Sequence, residues 1–336
     1  MRIRLSCALA ALLALCLAGC ADKFAASKKE LLAIAADFDG KTKELREGLE
    51  AVRQELRYAL VDPSPDPRGL FPDREYLFFE DAIYCNPKDD GNGSMFYTGY
   101  VPVGPAQKAK VRALERVIPS MKAFIEEGPM KGLVTQVYFV TGDSLICNYP
   151  FVDNLSFVPP KRDIQTRRIW TGNDRANNPR RATTWSAPYV DTTGKGYVVD
   201  VNTVLDIDGV QAAALGADLT VKALKGEFSK RKDLKLLFLD PRSAKIVAMS
   251  AAFEEFFSMG NVEAFKYLRM IDNAAPDRPE IPDNLILTKT DSQPMRDIWA
   301  ELSAGRTEFR IERGTRSLRA AAATLSETGW VLLLVE

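Results

Sequence analysis

The chain contains no histidine. That removes the side chain used most often as a general base, a proton shuttle near neutral pH or a zinc ligand. An excess of charge of one sign is also missing: 45 Lys and Arg stand against 45 Asp and Glu in 336 residues. A balanced chain has no electrostatic footprint for nucleic acid or for a polybasic contact with lipid headgroups. Beyond the N-terminal stretch there is no apolar run long enough to cross a bilayer. Cysteine is scarce, at five. Without histidine, metal-ligand spacing or an activated nucleophile, neither an enzyme nor a metal or cofactor is expected.

What is present begins at the N-terminus. Arg2 and Arg4 precede an apolar run, Leu5 to Leu17, of signal-peptide length. It ends in Leu17-Ala18-Gly19-Cys20, small residues directly before a cysteine. This arrangement predicts cleavage after residue 19 and lipidation of Cys20; a secretory signal with an incidental cysteine is the alternative. The acyl chains would tether the protein to the inner or outer membrane of a Gram-negative-type envelope, facing the periplasm. The last residues, Trp330 to Glu336, read as a final strand, so no second anchor and no cytoplasmic module are expected. Cys7 and Cys16 leave with the signal peptide. Cys85 and Cys147 remain, an even pair in an oxidising compartment, and a disulfide is expected between them. It would close a loop of about 60 residues, for which chain entropy gives about 4 kcal/mol; two separate buried thiols are the alternative.

Lys23 to about Ala59 has apolar residues at three- and four-residue spacings, among them Leu31, Phe38, Leu45, Leu49, Val52 and Leu56. This predicts one long amphipathic stalk helix, stopped at Asp62-Pro63-Ser64-Pro65. A loop-rich segment to Pro105 follows, then a helix over 106–127. The period then changes to strands at 133–140, 144–149, 183–189, 197–205 and 210–217, with a short helix at 163–171 and another at 219–228. A second unit starts near Leu234, with a hairpin turning at Asp240-Pro241-Arg242-Ser243. Helices are expected at 253–257, 262–271 and 292–302, and strands at 307–312, 317–325 and 331–335. The fold class is therefore α+β, with two stacked subdomains along one stalk helix, each an antiparallel sheet flanked by helices.

Trp185-Ser186-Ala187-Pro188-Tyr189-Val190-Asp191-Thr192-Thr193-Gly194 resembles the PY-x-D-x-x-tG signature of double Cache (dCache) extracytoplasmic sensor domains. Gly209-Val210 followed by Gly216-Ala217-Asp218 resembles that family's GVxGxD step, and Arg168-Ile169-Trp170 its R-x-W. The resemblance spans residues 23–336 and is densest over 163–226. It implies two PAS-like (Cache) subdomains, a membrane-distal one at 61–230 with the ligand pocket and a membrane-proximal one at 231–336, after residues 20–60 of lipidated Cys20 and stalk helix. It also implies a site for an amino acid. Arg168 would take the ligand carboxylate and Trp170 wall the pocket, while Tyr189, Asp191 and Asp218 receive the ammonium. The chemistry suits a zwitterion, which needs a planar bidentate cation at one end and carboxylates at the other. Two positions depart from amino-acid binders: Asp163 replaces an aromatic five residues before Arg168, and Thr171 replaces a Tyr after Trp170. An amine, including a di- or polyamine, is therefore kept beside an ordinary amino acid as the expected ligand, with a different pocket chemistry as the alternative.

Simpler roles compete for each residue. Asp191 can cap its own turn, Asp218 can cap a following helix, Trp170 and Trp185 can be core aromatics, and Arg168 can belong to a basic face with Arg162, Arg167, Arg175, Arg180 and Arg181. Asp89-Asp90-Gly91-Asn92-Gly93-Ser94 has the start of a calcium loop but no glutamate at its twelfth position, and reads as a turn. Gly194-Lys195-Gly196 lacks the spacing of a phosphate loop. The functional expectation is a small-molecule-binding sensor lipoprotein that relays occupancy to a membrane-bound signalling partner. A lipid-anchored solute-binding protein for a transporter and a structural envelope lipoprotein are the alternatives.

Overall fold

A computed structural model describes residues 3–62, 69–80, 82–191, 195–259 and 281–336, with side chains from Lys23 onward. The Cys20 side chain, the prolines at 63–67, residues 192–194 of the signature and the helix expected over 262–271 lie outside the described residues. No described helix is long and apolar enough to cross a membrane.

The first element is one long helix, α1 (Ile3–Val61). Its buried positions repeat at helical spacing: Phe24, Leu31, Ile34 and Phe38, then Leu45, Leu49, Val52, Leu56 and Ala59. Two compact units divide the chain. One is built on Lys41–Leu224. The other combines the helix up to Gly40 with 225–259 and 282–336.

The Lys41–Leu224 unit holds a sheet of nine strands among the described residues, with β1 (Leu77–Phe79), β2 (Ile83–Cys85), β3 (Ser94–Tyr97), β4 (Val134–Thr141), β5 (Leu145–Tyr149), β6 (Thr184–Trp185), β7 (Tyr189–Asp191), β8 (Gly196–Ile207) and β9 (Val210–Thr220). The order is β1-β2-β3-β5-β4-β9-β8-β6, with β7 paired on β8, and every pairing is antiparallel. β1–β3 lie in the stretch expected to be loop; three or four residues are too few to show a period of two. The helix expected over 106–127 is α2 (Pro105–Leu114), a 3₁₀ turn (Glu115–Val117) and α3 (Ile118–Glu126). Pro119 has no N–H to continue a helix and sits in the first turn of α3. The short helix expected at 163–171 is a 3₁₀ turn (Ile164–Thr166) followed by the single turn α4 (Arg168–Thr171). α5 (Val221–Phe228) follows β9 directly.

The second unit has a five-stranded antiparallel sheet among the described residues, ordered β11-β10-β14-β13-β12: β10 (Lys235–Asp240), β11 (Lys245–Met249), β12 (Glu308–Arg313), β13 (Arg316–Thr324) and β14 (Val331–Val335). α6 (Ala251–Phe257) and α7 (Gln293–Ser303) flank it. Phe38 of α1 joins its core, with ring centroids 4.8 Å from Phe238 and 6.4 Å from Trp330, while Phe228 lies 5.0 Å from Phe238. Ser250 caps α6 by accepting the Phe253 N–H.

The expected disulfide is not formed: Cys85 and Cys147 are free, buried thiols. Register explains why. Cys85 pairs with Phe96, whereas Cys147 pairs with Met95. Adjacent residues of a strand point to opposite faces, so the two thiols lie on opposite sides of the sheet. They are also two strands apart, roughly 9–10 Å at the usual strand spacing, beyond disulfide reach. Cys147 Sγ lies 3.8 Å from Met121 Sδ of α3, and Cys85 packs with Phe96, Ile146 and Trp170. Burial pushes the Cys85 thiol up to about 12, with Asp153 adding to the rise.

Candidate functional site

The alternation of β4, β8 and β9 assembles a polar cluster on one face of the larger sheet. Asp200 on β8 pairs with Asp218 on β9, and Asp218 pairs with Gln136 on β4. One step along, Asn202 pairs with Gly216, and Gly216 with Tyr138. Gly216 is the opening that lets this row form. A Cβ there would stand 2.6 Å from the Tyr138 hydroxyl and 2.8 Å from Asn202 Oδ1, so the Tyr138 ring lies where a side chain would be.

Asp200 is the hub. Its Oδ2 accepts from the Tyr189 hydroxyl at 3.1 Å and the Tyr138 hydroxyl at 3.3 Å. Its Oδ1 is 3.7 Å from Arg168 Nη2, an ion pair too long for a hydrogen bond. The Arg168 guanidinium stacks over the Tyr189 ring at 4.7 Å. Burial, then the carboxylates of Asp200 and Asp218, holds both tyrosine hydroxyls well above their ordinary range, so both stay protonated donors.

Asp218 is the buried end of the cluster, its side chain 4% exposed, with Lys195 Nζ 3.5 Å from Oδ2. The Lys195 backbone N–H donates to Asp191 Oδ2 at 3.2 Å. Burial, with the charges of Asp191 and Asp200, pushes the Asp218 carboxyl up to about 8 against the pull of Lys195. Burial lowers Lys195. Asp200 Oδ1, Asn202 Oδ1, Asp218 Oδ1 and Lys195 Nζ are all buried without a hydrogen-bond partner. Glu115, equally buried, shows the contrast. Its carboxylate accepts from the Tyr76 hydroxyl at 2.8 Å, the Phe71 N–H at 3.1 Å and Arg112 Nη1 at 3.2 Å. A carboxylate serving structure alone is saturated in this way, because an unmet buried acceptor costs about 1–3 kcal/mol.

The structure therefore brings Arg168, Tyr189, Asp191 and Asp218 together. Trp170 lies in the apolar cluster formed by Val140, Ile146, Ile164 and Ala214, where it also covers Gly142. Val140 and Ala214 are two residues from Tyr138 and Gly216 along their strands, so this cluster shares the sheet face with the polar one. Trp185, 6% exposed, is buried on β6. Asp218 is not a helix cap: β9 continues two residues beyond it. Asp191 does accept the Lys195 N–H. Asp163 caps the 3₁₀ turn before Arg168 by accepting the Gln165 N–H. Of the arginines near Arg168, Arg175 and Arg181 are paired with Asp206. Asp89 and Asp90 make turns with the N–H groups of Gly91 and Asn92, and Arg74 grips Asp90 through two bonds of 2.7 and 2.8 Å. Sequence reading does not single out Tyr138, Asp200, Asn202 or Lys195 as site residues. The signal for two of them is Val199-Asp200-Val201-Asn202, polar residues at every second position of an apolar strand.

No protein-family model matches the sequence, and no curated protein does. Solved structures are similar in fold. The ligand-binding domain of the Campylobacter jejuni chemoreceptor Tlp3, in complex with L-norvaline, superposes with a TM-score of 0.50 at 12% identity, over 94% of this chain and 91% of that one. A protein described as methyl-accepting chemotaxis protein X gives 0.51 at 13% identity, over 93% of this chain and 96% of that one.

Proposed function

The chain has the double-Cache fold of chemoreceptor ligand-binding domains, and on that premise we propose that it senses a small amine-bearing metabolite, an amino acid or an amine, at the polar cluster of the Lys41–Leu224 unit. One observation carries the reading. Asp200 Oδ1, Asn202 Oδ1 and Asp218 Oδ1 are acceptors only, buried side by side and unmet by the protein. A group with several N–H donors and a positive charge answers all three at once. Arg168, with its side chain 32% exposed beside Tyr189, is placed to take a carboxylate at the other end of a zwitterion. Trp170 and its apolar neighbours on the same face suit an aliphatic side chain.

In this reading residues 61–230 are the membrane-distal sensor subdomain and 231–336 the proximal one. Export and a lipid on Cys20, read from Leu17-Ala18-Gly19-Cys20, hold the protein at the periplasmic side of a membrane. Occupancy then passes to a membrane-bound signalling protein, which a ligand biases only by its differential affinity for two states.

Thermal unfolding of the chain against a panel of amino acids, amines and carboxylates tests it. A ligand at a hundredfold excess over its Kd adds about 2.7 kcal/mol to the native state, enough to raise Tm by several degrees. The raised midpoint is expected from an amine-bearing compound and is expected to vanish in both Asp218→Asn and Arg168→Met. Hits confined to carboxylates without an amine, or hits indifferent to both substitutions, would overturn the site.

A further inference from the structure

We propose that the Lys195 ammonium is a built-in occupant of the cation subsite, and that an incoming amine binds by displacing it from Asp218. The inference rests on the ligand site proposed above and adds what the ligand must compete with.

Lysine ordinarily keeps its strongly hydrated head in water and buries only its stem. Lys195 does the reverse. Its side chain is 20% exposed, and its Nζ lies 3.5 Å from the buried Asp218 Oδ2. Its backbone is pinned at the entrance to β8 by the N–H bond to Asp191. Yet Nζ makes no hydrogen bond, although three unmet acceptors lie in the same cluster. The contact is therefore charge attraction without directed bonds. A cation held in this way is the one most readily exchanged for another that can aim its donors. Arg168 is not the exchangeable group, because its guanidinium is stacked on Tyr189 and faces Asp200.

The seat of Lys195 on Asp218, more than the sum of charges, favours one-for-one exchange. Asp191, Asp200 and Asp218 face Arg168 and Lys195, and the remaining close groups, the Tyr138 and Tyr189 hydroxyls, donate to Asp200. A ligand ammonium that replaces Lys195 leaves the buried charge unchanged. An ammonium added beside Lys195 would place two like charges against one carboxylate. Two consequences follow for specificity. A tethered group acts at an effective concentration on the order of millimolar, so Lys195 sets a threshold that weak amines do not cross. A hydroxy acid or keto acid of the same shape lacks the charge to expel it.

The test uses n-propylammonium chloride as the probe and 1-propanol as its uncharged counterpart, with thermal unfolding of the full chain as readout. Lys195→Met keeps the stem and removes the charge. It is expected to respond to n-propylammonium at a concentration at least tenfold lower than wild type, with no response to 1-propanol. Adding Asp218→Asn to that variant is expected to abolish the response. An unchanged or weaker response in Lys195→Met would sink the proposal. A second measurement needs only the wild-type fold. In the chain labelled with 13Cε-lysine, the Lys195 resonance, assigned by its loss in Lys195→Arg, is expected to move to the position of solvent-exposed lysines on saturation with n-propylammonium. A resonance that stays put under saturating probe overturns the displacement. The two readings also fail separately. An amino-acid response of equal affinity in wild type and Lys195→Met retains the sensor site and discards the displaced lysine. Amine binding gained in Lys195→Met, with no amino-acid response in wild type, does the opposite.

Discussion

Asp218 holds its proton to a higher pH in the folded chain than in the unfolded one. Its carboxyl is raised from 3.8 to about 8 by burial, then by Asp191 and Asp200, with Lys195 pulling the other way. Between those two values the folded state binds more protons than the unfolded one, so stability falls as pH rises. Tm of the wild-type chain is therefore expected to decline from pH 5 to pH 7. Asp218→Asn, which has no proton to lose, is expected to flatten that decline. A variant with the wild-type slope would place the titration elsewhere.

At the scale of elements, the long features were legible in the sequence and the site only in outline. α1 announced itself because its apolar positions, from Leu31 through Leu56, repeat over many turns. β11 and β14 fall where their apolar runs predict. Four of the five site positions carried by Arg168-Ile169-Trp170, the Pro188-Tyr189 signature and Gly216-Ala217-Asp218 meet in one cluster. Asp200 and Asn202 stayed hidden because they read as interruptions of a buried strand rather than as a motif. Tyr138 stayed hidden because its importance depends on a neighbouring strand: it reaches Asp200 only across Gly216. Gly216→Ala is the corresponding prediction. The new methyl must push the Tyr138 ring aside, and overpacking of this kind costs about 1–3 kcal/mol. Calorimetry is expected to show that loss together with a weakened ligand response, and a fully wild-type response would mean that Tyr138 is dispensable. The misplaced disulfide has the same origin, since spacing in sequence says nothing about which face of a sheet a residue occupies.

For the whole molecule, the division of the chain matters more than its length. The unit containing β10–β14 is discontinuous: its core needs Phe24, Leu31 and Phe38 from α1, which precede the other unit entirely. Phe38 packs on Phe238 and Trp330, and Arg319 lies 3.8 Å over the Phe24 ring. A fragment of residues 225–336 is therefore expected to be unstructured by circular dichroism. A peptide of residues 23–40 added in trans is expected to recover β signal; a fragment that folds without it would show the helix to be a passenger. Chain synthesis has the same constraint, because this core closes only after its last strand, β14, has emerged, while every strand of the Lys41–Leu224 unit is by then complete.

The two unlinked thiols have a use of their own. Cys85 sits on the side of the larger sheet that carries the proposed site and Cys147 on the side facing α3. Each is buried. A thiol reagent reaches either one only during a transient opening, so the alkylation rates of the two act as separate clocks, one for each side of the sheet. The ligand side can thus be timed against the opposite side in the same tube, with no probe engineered into the chain.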